Sequence, residues 1–286
     1  MRERCARQID EYVGGYFHGR PWLRAAYLAV PREPFVPNRV WRGPRESDEL
    51  KDPRPLLDRQ ADPERWLEAV YEPTTPLITQ IDDGAVPADG PAESSHFTSS
   101  VSCSSVVVNM LHYLDPQEGD TVLEIGTGSG YNAALLAQRV APTNVVSVEI
   151  QPDIAERAAR TLRQHRGEGG VPLVVTGDGE LGYPERAPYS RIISTVCVRK
   201  IPQAWLDQAT PGAVIVTPMV TPFAIQALAR LVADGKGGAE GDFVTRVSFM
   251  LARGQREYRK WSELGWFTLR DLDLSVDAGE QRIRLR

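Results

Sequence analysis

The sequence is short of cysteine, of long apolar runs and of basic residues, and each shortage closes off a class of protein. Its three cysteines, Cys5, Cys103 and Cys197, stand far apart in 286 residues. That is too few for the disulfide framework of a small secreted domain, and no C-x-x-C pair offers a metal knuckle, so they read as free thiols in a reducing cytoplasm with no metal site. No stretch approaches the roughly 18 consecutive apolar residues that a membrane helix requires. The amino-terminal MRERCARQIDEYV is charged and amphipathic and lacks the apolar core of an export signal. Thirty-three Lys and Arg against 38 Asp and Glu leave a net charge of -5, the opposite of the basic surplus with which nucleic-acid binders neutralise phosphates. The expectation is therefore a protein of the cytoplasm, with neither a membrane nor a nucleic acid as partner. What remains, 42% apolar and 25% charged residues, is ordinary for a soluble globular protein and long enough for one large domain with an appendage or two small ones.

Apolar positions at helical spacing in residues 1–30 (Ile9, Val13, Phe17, then Trp22, Leu23, Ala26 and Tyr27) predict one or two short helices. The closely spaced prolines of VPREPFVP (30–37) then stop any helix and predict an ordered turn clamped by Phe35. Residues 42–65, charged and proline-rich, read as an exposed loop, and 76–102 as a long loop ending in hydroxyl-rich HFTSSVS. SSVVVNMLHYL (104–114) reads as a buried helix capped by one of its serines, with His112 packed on it. From residue 121 strand and helix signals alternate through TVLEIG, YNAALLAQRV, VVSVEI, DIAERAARTLRQH, VPLVVTGDG, RIISTV, IPQAWLDQA and AVIVTPM. Strands separated by helical segments of about ten residues imply an α/β, doubly wound, mostly parallel sheet with helices on both faces. Past residue 223 the pattern changes to a hairpin, FVTRVSFML answering ALARLVA across DGKGGAEGD. The tail from 254 is polar apart from Trp261, Trp266 and Phe267, and its final RIRLR reads as a pattern that continues beyond residue 286. Three segments follow: amino-terminal helices and loops (1–75), a sheet domain (76–253) and a C-terminal extension (254–286).

The chemistry sits first in VLEIGTGSGY (122–131). After the strand, Gly126, Gly128 and Gly130 let the backbone turn tightly and approach a nucleoside at a helix amino terminus. Glu149 closes the next strand about 20 residues on, where a carboxylate can accept from both ribose hydroxyls. The spacing E-x-G-x-G-x-G differs from the dinucleotide motif, and Glu124 two residues before the first glycine suits the cationic methionyl part of S-adenosylmethionine (SAM). Asp178, in TGDG at the end of the third strand, is placed to accept from an adenine amino group. Thr127, Ser129, Tyr131 and Asn132 in and after the turn, with Ile150 and Gly179 beside the two carboxylates, complete the expected cofactor-binding set.

From about residue 98 to 219 the chain resembles the protein L-isoaspartate O-methyltransferases. The resemblance is carried by VLEIGTGSGYNAALLA, VVSVEI, TGDG, PGAVIVTPM and, upstream, VPREPFVP. It implies a SAM-dependent O-methyltransferase acting on the carboxylate of an isoaspartyl or aspartyl residue in a peptide or protein, with ring closure to a succinimide. It also implies that Ser102, matching the serine of a hydroxyl-rich I-S-x-P segment, lies against the methyl acceptor, with Thr98 and Ser99 as neighbours in the substrate site. The chain departs from that pattern with Ser104 in place of proline, Cys103 before it, and an insertion over roughly 85–96. These departures keep two uses open, repair of isoaspartate in damaged proteins and modification of a normal Asp in a ribosomally made peptide. Two other classes also stay open: a nicotinamide-dependent oxidoreductase, against which stands the lack of a Tyr-Lys or His-Asp relay, and a noncatalytic peptide-binding relative.

Overall fold

The computed structural model describes residues 1–12, 16–44, 53–94, 96–165, 170–223, 225–277 and 280–286. The amino-terminal signals resolve into helices α1 (Arg2–Tyr12) and α2 (Pro21–Ala29), which bury Ile9, Leu23, Ala26 and Tyr27; Val13 lies outside the described residues. Proline at the first position of α2 suits a helix start, where its missing N–H costs nothing. VPREPFVP folds as expected into a short 3-10 turn over Glu33–Phe35 with Phe35 buried.

Two loops expected from the sequence are not loops. Strands β1 (Arg39–Arg42), β2 (Leu56–Asp58), β3 (Leu77–Ile81) and β4 (Phe97–Val101) pair antiparallel in the order β2-β1-β3-β4, and helix α3 (Pro63–Val70) lies between β2 and β3. These strands are short, partly polar (FTSSV, LITQI) and joined by long-range pairing, so no local periodicity marks them. Helix α3 did carry a signal: the Asp62 side chain accepts from the Arg65 N–H at 3.0 Å and Pro63 follows it, a cap and a first-turn proline. Pairing of β1 with β3 also joins chain on either side of residue 75.

Helix α4 (Ser104–Leu114) follows β4, but a serine does not cap it. Cys103 occupies the cap position without a side-chain bond to the helix backbone, and the Ser105 N–H donates instead to the Pro73 carbonyl at 2.9 Å. His112 packs as expected, against Tyr16.

The large sheet follows the alternating signals. Strands β5 (Val122–Ile125), β6 (Val145–Glu149), β7 (Leu173–Thr176), β8 (Tyr189–Ser194) and β9 (Ala209–Val220) pair parallel, and β10 (Gln226–Ala233) and β11 (Ala239–Val247) add the expected hairpin. The spatial order is β7-β6-β5-β8-β9-β10-β11. β5 and β6 are buried throughout, as strands covered on both faces must be. Helices α5 (Tyr131–Leu136), α6 (Pro152–Gln164) and α7 (Gln203–Asp207) make the crossovers; α6 turns Ile154, Ala155, Ala158 and Leu162 inward. α5 is shorter than its sequence pattern and ends before Gln138. One apolar cluster runs from Cys5 and Tyr27 through α4 to Val216 and Leu228, so the amino-terminal helices pack on one face of the sheet.

The tail folds over β11 through aromatic contacts. Trp266 stacks on Phe243 with ring centroids 6.0 Å apart, and Phe267 meets Phe223. Beyond it, β12 (Leu272–Asp277) and β13 (Glu280–Leu285) form a separate two-stranded ribbon. No helix among the described residues is long and apolar enough to cross a membrane.

Candidate active site

β5 leads outward to β6 and β7 on one side, and the chain then returns to place β8 on the other side of β5. A crevice at the carboxyl ends of strands is expected where the order reverses in this way. GTGSG occupies that point. Its Gly126 N–H donates to the Val148 carbonyl at 2.9 Å, and the Gly128 N–H donates to Glu149 Oε2 at 2.9 Å. At Gly128 φ is +53°, a backbone conformation that glycine adopts without strain, and the Ser100 carbonyl of β4 lies within van der Waals reach of the turn there.

The resulting cleft brings together most of the residues expected to bind cofactor. Gly126, Thr127, Gly128, Ser129, Tyr131, Asn132, Glu149, Ile150, Asp178 and Gly179 line it, and so do Thr98, Ser99 and Ser102 from the opposite wall. Glu149 is nearly buried, its second oxygen accepting from the Gln151 N–H at 3.1 Å. A carboxylate has about four lone-pair sites, so two remain for a ligand's hydroxyls. Asp178 is exposed and accepts from the Glu180 N–H at 3.0 Å.

Glu124 and Gly130 do not line the cleft. Gly130 stands behind the turn at φ +83°, where a Cβ would press on Leu162 of α6 at 3.3 Å. Glu124 is fully buried beneath the cleft, accepting from Asn132 Nδ2 at 2.7 Å and from the Ser147 hydroxyl, which in turn meets the Thr127 hydroxyl at 2.6 Å. Burial pushes its carboxyl up to about 7, with the Glu149 charge adding to the rise and its hydrogen bonds opposing it. Its position lets it brace Asn132 and Thr127, two residues that do face the cleft.

Ser102 sits at the junction of this cleft with a second cavity, and the two share Ser100, Ser102, Met250, Leu251 and Arg256. The second cavity runs between the small sheet, the start of α4 and the segment 248–251. Ser102 does not cap α4, and among the described residues its Oγ has no hydrogen-bond partner. Its backbone is held instead: Arg32, from VPREPFVP and almost wholly buried, donates from Nη2 to the Ser102 carbonyl at 2.6 Å while its guanidinium lies 5.1 Å from the Tyr131 ring centroid. Thr98 and Ser99 are already engaged, Thr98 donating to Gln80 and accepting from the Asp83 N–H, Ser99 accepting from Thr79.

Several lining residues were not foreseen. Thr195 and Val196, just past β8, face Gly126 across the reversal, and the alternating strand pattern could have pointed to them. Met250 and Leu251 end the FVTRVSFML run, read only as a hairpin strand, and Arg253 and Arg256 follow where no motif marked them. Both arginines pair with Asp83, Arg253 Nη2 to Oδ1 at 2.8 Å and Arg256 Nη1 to Oδ2 at 2.9 Å, and hold that carboxyl below its usual range.

A glycine turn at the reversal of a parallel sheet, an acidic residue closing the neighbouring strand and an antiparallel hairpin at the sheet edge together define the SAM-dependent methyltransferase form of the doubly wound fold. Among solved structures, one protein-L-isoaspartate O-methyltransferase aligns over 88% of this chain and 66% of its own length, with a TM-score of 0.63 and 24% identity. One from Plasmodium falciparum, described as a putative member in complex with S-adenosyl-L-homocysteine, aligns over 81% of this chain and 90% of its own, with a TM-score of 0.54 and 13% identity. At the level of sequence, the protein-L-isoaspartate O-methyltransferase of Hyperthermus butylicus is 36% identical over 269 residues, 91% of this chain and 93% of that protein. That of Aeropyrum pernix is 34% identical over 236 residues, 79% and 89% of the two chains. The family model for protein-L-isoaspartate(D-aspartate) O-methyltransferase matches residues 88–257. The chain belongs to this family.

Proposed function

We propose that the protein transfers a methyl group from SAM to the free carboxylate of an isoaspartyl residue in a peptide or protein, with Ser102 orienting the acceptor. The observation that carries this reading is the unpartnered Ser102 hydroxyl at the meeting of the glycine-turn cleft and the second cavity. The residues of the cleft suit SAM: the Glu149 carboxylate for the ribose, Asp178 and Gly179 for the adenine edge, and the Gly126–Asn132 turn for the methionyl part. Glu124 acts through Asn132 and Thr127 and serves as a positioning residue. Bound SAM supplies a methyl group carried on a positively charged sulfur.

The acceptor carboxylate is already ionised near neutral pH and needs no general base. Its oxygen forms the new C–O bond as the C–S bond breaks, so an anion and a cation become two neutral products. Removing water favours a step in which charge disappears, and Val107, Val196, Met250 and Leu251 give the cleft the apolar walls for it. Ser102 donates to the carboxylate oxygen that does not react and fixes the line of attack. In the released ester methanol is a far better leaving group than oxide, so the next backbone nitrogen can displace it and close a succinimide.

Incubation with SAM and an isoaspartyl peptide should add about 14 Da and, after ring closure, leave the peptide about 18 Da lighter than it began, because an aligned neighbouring amide captures the ester. Release of S-adenosyl-L-homocysteine with no isoaspartyl peptide, but with a peptide carrying normal Asp, would move the acceptor to the aspartyl side chain. No release with either would sink the reading. The free thiols, with Cys5 and Cys197 buried, suit a reducing cytoplasm.

A further inference from the structure

The two cavities that meet at Ser102 differ in charge. The cofactor cleft carries Glu149, Asp178 and Glu180 on its walls, whereas the second cavity has no carboxylate among its described lining residues; its only permanent charge there is Arg256, beside the His96 imidazole and the Cys103 thiol. Such a cavity favours an anionic occupant, yet Arg256 is not free. Asp83 spans Arg253 and Arg256 from a turn in which Asp82 and Asp83 both take left-handed backbone angles, φ +49° and +51°, unusual for residues other than glycine. The Asp83 N–H is held by Thr98 Oγ1 at 3.0 Å, and Asp82 pairs with His96 Nδ1 at 2.9 Å. All three partners remain accessible, with side-chain exposures between 30% and 39%. A carboxylate of the protein is thus held, from a turn with left-handed backbone angles, on the one arginine among the described residues that lines both cavities.

We propose that Arg256, supported by Arg253, selects acceptors that carry a second carboxylate next to the one methylated, and that Asp83 holds its place until such an acceptor arrives. The inference rests on the carboxyl methyltransferase reading. An incoming acidic side chain would form the charge-assisted, two-pronged contact now made by Asp83, and a carboxylate replacing a carboxylate leaves no arginine unpaired.

The test compares two isoaspartyl peptides that differ only in Glu or Gln beside the isoaspartate, with S-adenosyl-L-homocysteine release as the signal. The intact protein should favour the Glu peptide by about tenfold in kcat/KM, the scale of one charge-assisted contact. Arg256→Gln should abolish the preference by raising KM for the Glu peptide about tenfold more than for the Gln peptide, and Arg256→Lys should restore part of it. Asp83→Asn should lower KM for the Glu peptide several-fold and so widen its preference over the Gln peptide; an equal loss on both peptides would mean that Asp83 only clamps the turn and would overturn its place-holding role. Turnover of both peptides at equal rates by the intact protein would overturn the selection and leave the methyltransferase reading standing. Turnover of neither, nor of a peptide carrying normal Asp, would remove both.

Discussion

The cofactor cleft and the second cavity meet at one serine, yet they are made in opposite ways. The cleft is backbone at the ends of parallel strands: a glycine turn, two strand-terminal carboxylates and hydrogen bonds that fix it before any ligand arrives. The second cavity is side chains from three distant places, the small antiparallel sheet, the start of α4 and the segment after β11. A preformed cleft of the first kind suits a cofactor that never changes, and an assembled wall of the second kind can be retuned for the acceptor without disturbing the first.

The largest test of that division is Arg32, which ties the serine junction to Tyr131 behind the turn. Arg32→Met should cost about 2–4 kcal/mol of stability, because the Ser102 carbonyl and, at 3.4 Å, the Val101 carbonyl lose a charged donor, and thermal or urea unfolding would register it. Folding as firmly as the parent would mean that the two halves are less dependent on each other than the contact suggests. Next is Glu149→Ala, which should weaken S-adenosyl-L-homocysteine binding about 30- to 100-fold by calorimetry, since it removes both the ribose acceptors and the brace on Gly128. Unchanged affinity would take Glu149 out of the ribose site.

Ser102→Ala should then lower kcat about tenfold while cofactor affinity holds, as expected for one orienting hydrogen bond. A parallel loss of cofactor affinity would show that the junction belongs to the cleft. The smallest effect is on pH. Glu124 folds with its carboxyl raised to about 7, so the folded protein holds a proton there that the unfolded chain has released, and this group's contribution to stability falls as pH rises from the ordinary carboxylate range to about 7. Glu124→Gln should flatten the thermal midpoint over that interval, and an identical pH profile would assign the slope to other groups.

The same division explains what could be read from the sequence. VLEIGTGSGY, VVSVE and TGDG are local: strand, turn and acidic residue follow one another along the chain, and the large sheet was legible because strands and helices alternate with clear periods. Glu124 was legible as a special residue but not as a buried one, since a carboxylate beneath the cleft and one inside it occupy the same place in the motif. β1 to β4, by contrast, were hidden in apparent loops because their partners lie far along the chain, Trp41 opposite Ile78 and Leu77 opposite Val101. Arg253 and Arg256 gave no signal because their meaning depends on Asp83, about 170 positions earlier.

Arg32 also bears on how such an enzyme can be taken apart. The part of the chain matched by the family model begins at residue 88, but the guanidinium that steadies the serine backbone comes from residue 32. The segment around Arg32 is therefore part of the frame of the cleft. Grafting the sheet portion alone onto another protein would carry the glycine turn across and leave behind the strut that holds the Ser102 backbone.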